Sequence, residues 1–167
     1  MRIRPEEPAD ITAVHGLNVA AFGRAAEADL VEALRREKAV LASLVAEDDR
    51  GQIVGHILFT RAFIETDAGA VPVAALGPMA VLPEQQHRGI GSELVRTGIA
   101  AMRAAGERAA VVLGHARYYP RFGFRRADVC GWTCEFKVPP EVFMALPLSQ
   151  DRPAAGVVRY HAAFATV

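Results

Sequence analysis

The stretch from Ala70 to Gly114 constrains this chain more than any other. An apolar run, "AVPVAALGPMAVLP", enters "EQQHRGIG", and a second apolar run, "AAVVLG", lies beyond "SELVRTGIAAMRAAG". Leu94, Val95, Ile99 and Met102 fall on one side at helical spacing, and Gly106 fits a C-terminal cap, so a helix is expected over 92–105. A strand, a helix and a strand in this order form a right-handed crossover with the two strands parallel, from about Val73 to Leu113. A parallel pair is buried on both faces, so the rest of the chain must cover it.

The flanking sequence supplies that cover. "RIR" alternates as a short first strand. Asp10 is placed to cap a helix carrying Ile11, Val14 and Leu17, and Gly23 separates it from a second helix carrying Leu30, Val31 and Leu34. Two β-rich runs flank "DDRG" as a hairpin, and "AGAVPVAALGPMAVL" follows the next turn as a further strand. "HARYYPRFGFRR" is too irregular for a long helix. The tail, with "EVFMALPLS" and "GVVRYHAAF", is expected to add one or two late strands. The order predicts a mixed α/β layer protein. At 167 residues it is expected to be one domain, with a core to about residue 127 and C-terminal strands over about 128–167.

Several functions are disfavoured. Formal charge is zero, so neither nucleic acid nor an anionic membrane is an expected partner. "MRIRPEEPAD" has no apolar centre and does not read as a secretory signal, and the longest apolar stretch is too short to span a bilayer. Cys130 and Cys134 have no second ligand pair beside them, so no metal is expected. Two free, partly buried thiols fit a cytoplasmic protein.

The chemistry concentrates in "QHRGIG". A loop between a strand and a helix N-terminus presents N–H groups with no intrahelical partner, and these favour an anion. Gly89 and Gly91 let a phosphate approach the backbone and allow positive φ, while Arg88 adds charge-assisted contacts. No Gly-Lys-Ser/Thr follows for a Walker loop, and no third glycine completes a dinucleotide fingerprint. Upstream, Gly77-Pro78 interrupts the strand. A bulge there would splay it from "AAVVLG" and open a cleft walled by unpaired backbone. Downstream, "ARYYPRFGF" should lie across the mouth of that cleft.

Together these stretches resemble the GNAT superfamily of N-acetyltransferases. The signature Gln/Arg-x-x-Gly-x-Gly/Ala is met by Gln86, Gly89 and Gly91. "ALGPMAV", "QHRGIG", "VLGHARYYPRFGF" and "GVVRYHAAF" are similar to the YhbS-like branch over nearly the whole chain. The resemblance implies a mostly antiparallel sheet with a splayed parallel pair, flanked by helices. It also implies acetyl-CoA as cosubstrate. Met79, Ala80 and Val81 would pair with the pantetheine arm; Gln86, His87, Arg88, Gly89, Ile90, Gly91 and Ser92 would hold the pyrophosphate. His115, Tyr118 and Phe122 would complete the cofactor site. His115 departs from the branch, which usually carries Asp there.

Tyr119, at the Tyr-x-x-x-Gly-Phe position, would face the thioester sulfur as general acid. Ordinary pKa values near ~10 for tyrosine and ~8.5 for a thiol make full proton transfer uphill by roughly 2 kcal/mol, which favours a hydrogen bond from Tyr119 over transfer. Glu65, Glu84, His56 and His115 are the candidate bases by residue type, as is a water chain, and His56 reads better as structural. Phe22 and Glu27 would border the acceptor. The expected reaction is acetyl transfer to a primary amine, of a small molecule or a protein, by direct attack in a ternary complex. The alternative is a non-catalytic acyl-CoA-binding module. A monomer and a homodimer both fit.

Overall fold

A computed structural model describes residues Met1–Val167. The strands are β1 (Arg2–Pro5), β2 (Val40–Glu47), β3 (Ile53–Thr66), β4 (Gly69–Val81), β5 (Ala109–Leu113), β6 (Arg125–Arg126), β7 (Trp132–Cys134), β8 (Phe143–Pro147) and β9 (Gly156–Arg159). The helices are α1 (Ile11–Phe22), α2 (Ala26–Arg36) and α3 (Ile90–Ala104). All nine strands join one sheet, ordered β1-β2-β3-β4-β5-β8-β6, with β9 pairing both β3 and β7. The β4–β5 pair is parallel, as is the small β7–β9 pair; the other pairings are antiparallel.

Alternation along the strands assigns the two faces. Ile57 and Phe59 of β3 and Leu76 of β4 pack with Leu94, Val95 and Ile99 of α3. Leu58 of β3 and Ala80 of β4 pack with Val14, Leu17 and Leu30 of the first two helices. Ala62, Ile64, Val73 and Ala75 carry that second face onward, where Trp132, Tyr160 and other tail residues cover them. The sheet therefore has α3 on one side and α1, α2 and the tail on the other. Gly98 of α3 sits over Phe59, where an added Cβ would lie 2.3 Å from the ring, so helix and sheet touch at a glycine.

Opposite Leu58, β4 carries Gly77 and Pro78 where one residue would suffice. The register passes from Phe59↔Leu76 to Ile57↔Met79. This bulge keeps Leu76 and Met79, three residues apart, on the α3 face. Gly77 has φ 142°, a conformation that side-chain-bearing residues rarely adopt. Pairing of β4 with β5 stops at Leu76↔Val112, as the Gly-Pro step predicts.

Some expectations shift. Asp10 precedes α1 but does not cap it with its side chain. Its carboxylate instead accepts Arg4 at 2.7 and 3.0 Å and the Glu7 N–H at 2.8 Å. The hydrogen bonds from Arg4 outweigh the cost of burial and hold Asp10 below the usual carboxylate range. α3 begins at Ile90, directly behind Gly89 at φ 85°. The tail holds two short strands, β8 and β9, as expected, while β6 and β7 before it were not anticipated, and "HAAF" ends the tail in a 3-10 turn, Ala162–Thr166. Cys130 and Cys134 are free and half-buried, as expected.

His56 is wholly buried and is a structural residue. It meets Ser43 Oγ at 2.9 Å and the side-chain amide of Asn18 at 3.3 Å, while Ser43 Oγ also donates to Glu6. Burial pushes its pKa down to about 3, with a smaller contribution from Arg35. The unfolded chain therefore binds a proton below about pH 6.5 that the folded chain refuses until about pH 3. Stability is expected to fall with falling pH across that window, by up to about 1.4 kcal/mol per pH unit from this group. Urea midpoints at pH 7.5 and pH 5 measure it, and His56→Gln should flatten the dependence.

Candidate active site

Where β4 leaves β5, a cleft of about 1210 Å³ opens, lined by 30 residues of which 17 are hydrophobic. Its wall includes Gly77 to Val81, whose edge turned away from β3 has lost its strand partner. Met79 and Val81 pack toward α3, and Ala80 toward α1 and α2. The cleft thus passes between the two strands from one face of the sheet to the other.

On the α3 side it is bounded by the turn from Gln85 to Ser92. Gln86 ties this turn back through its side-chain amide, which donates to the Val81 carbonyl at 3.1 Å. His87 has φ 62° and Gly89 φ 85°, so the chain twice enters the left-handed region before α3 begins. A Cβ on Gly91 would lie 2.9 Å from the Tyr118 hydroxyl and 3.4 Å from Met79 Cε. The backbone here is bare because neighbouring side chains already close over it. The turn sits at the N-terminal end of a 15-residue helix, where the dipole favours negative charge.

The 3-10 turn Tyr119–Phe122 borders the same opening. Tyr119 is buried, and its ring lies over Gly114, whose added Cβ would meet Cε2 at 2.3 Å. Its ring stands at 86° to that of Tyr118, with centroids 5.1 Å apart. Burial, reinforced by Tyr118, pushes the Tyr119 phenol above the ordinary tyrosine range. It is therefore a firm hydrogen-bond donor and a reluctant source of a proton.

Of the residues expected to hold a cofactor, Met79, Ala80, Val81, Gln86, His87, Gly89, Ile90, Gly91, Ser92, His115 and Tyr118 all line the cleft, and so does Tyr119. Arg88 does not; its guanidinium turns to Gln85 Oε1 at 3.2 Å on the surface. Phe122 does not either. It backs Tyr118 at 5.3 Å and sits beneath Arg96 and Arg121. Arg121, which stacks on Tyr118 at 4.4 Å, occupies the lining instead.

Among the candidate bases only His115 reaches the cleft. Glu65 pairs with Arg159 at 3.0 Å on the sheet surface, Glu84 is exposed beside the turn, and His56 lies under α1. At the opposite end, Phe22, Glu27 and Leu30 from the first two helices meet Phe136, Val138, Tyr160 and Phe164 from the tail. The tail residues were not anticipated. The recurrence of aromatic residues through an otherwise irregular segment was the available signal.

Comparison with known proteins follows the same lines. Residues 2–127 match the family model described as an acetyltransferase (GNAT) domain. The uncharacterized N-acetyltransferase YjhQ of Escherichia coli is 39% identical over 138 residues, covering 81% of this chain and 76% of that protein. A GNAT family acetyltransferase from Brucella melitensis, solved in complex with acetyl-CoA, superposes with a TM-score of 0.82 at 39% identity, covering 98% of this chain and 97% of that one. Escherichia coli YhbS, solved with CoA, superposes with a TM-score of 0.91 at 30% identity, covering 98% and 91%. The family match and the two superpositions agree, and this chain belongs to the GNAT acetyltransferase family.

Proposed function

We propose that the chain transfers the acetyl group of acetyl-CoA to a primary amine, in the cytoplasm, with residues 1–167 acting as one unit. The carrying observation is the cleft, which joins an anion-friendly glycine turn to a buried tyrosine through a gap in the sheet. Relatives bound to acetyl-CoA and CoA support the cosubstrate. In this reading Gln86 to Ser92 receive the pyrophosphate through backbone N–H groups, and the unpaired edge at Met79 to Val81 receives the pantetheine amides.

The amine nitrogen attacks the acetyl carbonyl. An N–C bond forms, the C–S bond breaks, and its electron pair leaves on sulfur. One proton departs from nitrogen, and the thiol regains one from solvent. Backbone N–H groups near Met79 or Val81 stabilise the developing oxyanion. The Tyr119 hydroxyl donates a hydrogen bond to the departing thiolate. Its raised pKa suits that role better than full proton transfer. In this reading His115, which lines the cleft, or solvent accepts the amine proton.

Calorimetry with acetyl-CoA and thiol release with a panel of amines test the reading. Binding with transfer supports it, whereas binding with no transfer to any amine would indicate an acyl-CoA sensor. Gly91→Val is expected to weaken acetyl-CoA binding by about tenfold or more. The new side chain would push into Tyr118 and Met79 and displace the turn. Unchanged affinity in calorimetry would place the pyrophosphate elsewhere.

A further inference from the structure

A second, smaller groove of about 270 Å³ lies on the outer flank of α3, lined by Arg96, Ile99, Arg103, Arg121 and Phe122. Ser92, Arg96, Ile99 and Arg103 recur at helical spacing and share one side of the helix. Ser92 lines the main cleft, and Arg121 lines both openings. The groove therefore begins where the cleft ends. At about 1.5 Å of rise per residue, Arg96 stands roughly 6 Å beyond Ser92 along the helix.

Three guanidinium groups meet here, and no acid lines the groove. Arg96 gives Nη1 to Glu93 at 2.9 Å and keeps its other nitrogens free. Arg121 spends Nε on the Tyr118 carbonyl at 3.3 Å and Nη2 on Ser92 Oγ at 3.4 Å, which leaves Nη1. Arg103 has no acidic partner. All three are exposed, so a ligand reaches them directly from solvent. Like charges around one groove repel, and packing alone does not account for them. Arg96 and Arg121 each lie over the Phe122 ring, 5.4 Å from its centre, which steadies them without neutralising them. Arginines held in this way present forks that match phosphate oxygens.

We infer that the groove is a phosphate monoester site, separate from the glycine turn. The turn takes a pyrophosphate bridge through backbone N–H groups. The arginines take a terminal phosphate, which carries nearly two charges at neutral pH. Two sources present that group. One is the 3′-phosphate of CoA, whose ribose leaves the turn on the side away from the pantetheine arm. The other is a free phosphate. The first source rests on the acetyltransferase reading above, and it makes the groove a selector of donors. A thioester on the same arm without the 3′-phosphate loses the contact.

Calorimetry at low salt with CoA, dephospho-CoA and inorganic phosphate tests the inference. The parent is expected to hold CoA about tenfold or more tighter than dephospho-CoA, as one charge-assisted contact implies. Arg96→Gln/Arg103→Gln alters only exposed positions of α3, so it should keep the parent's melting midpoint. It should bring CoA down to dephospho-CoA and change dephospho-CoA itself by less than about twofold. Equal affinities in the parent, with inorganic phosphate bound by the parent and not by the variant, assign the groove to a free phosphate. Equal affinities with no phosphate binding overturn the inference, as does a preference for CoA that survives the double variant. Either result leaves the transferase reading standing. Failure of CoA and dephospho-CoA alike to bind overturns that reading, and the phosphate titration then decides the groove by itself.

Discussion

Tyr119→Phe is expected to lower kcat by about 10- to 100-fold while acetyl-CoA affinity changes by less than about twofold. The substitution removes one oxygen and leaves the ring on Gly114 and beside Tyr118, so the cleft keeps its shape. What is lost is a hydrogen bond to a developing thiolate. A bond to a charged atom is worth about 1.5–3 kcal/mol, hence the range. Because burial raises the phenol's pKa, its ionisation should leave no mark on the rate near pH 10, where an ordinary tyrosine would titrate. Native protein and variant should therefore show the same alkaline limb in kcat, at different heights. An equal kcat in the two would remove Tyr119 from the chemistry.

Gly156→Ala should have the largest effect on stability, about 3 kcal/mol or more. A Cβ there would lie 2.1 Å from the Glu65 carbonyl oxygen and 2.8 Å from its carbon. Backbone within a sheet cannot yield as a flexible side chain can. β9 would have to leave β3, undoing Phe63↔Arg159, Ile64↔Val158 and Glu65↔Val157. It would also carry away Tyr160, which follows β9, and disturb Trp132, whose β7 pairs with it. Residues before β6 hold the glycine turn without β9, so acetyl-CoA binding should outlast amine transfer as denaturant rises. Urea unfolding with parallel calorimetry would reveal it, and a midpoint matching the parent would contradict the steric account.

The parts read best from sequence were those whose physics is local. The apolar stripe from Leu94 to Met102 repeats at one period, and Gly77-Pro78 interrupts a strand whichever strand lies beside it. The segment between β5 and β8 was harder. β6 is two residues long and β7 three, too short to show alternation, and both depend on partners far along the chain. Arg88 and Phe122 fall outside the lining of the cleft for a related reason. In a tight turn adjacent side chains diverge, and only the packed structure shows that Arg121 fronts the cleft while Phe122 supports Tyr118 from behind. Glu65 and Glu84 were candidates by type alone, and type says nothing of which surface a strand presents.

The extra residue in β4 has a consequence for how such a cleft can be lost. Side chains on a strand are a parity code, and the Gly77-Pro78 bulge adds one to the count. Deleting a single residue there would restore even alternation, leave Met79, Ala80 and Val81 on their present faces, and allow β4 to run on beside β5. The helices and strand lengths would need little change. A closed sheet with no passage lies one codon away from the split one.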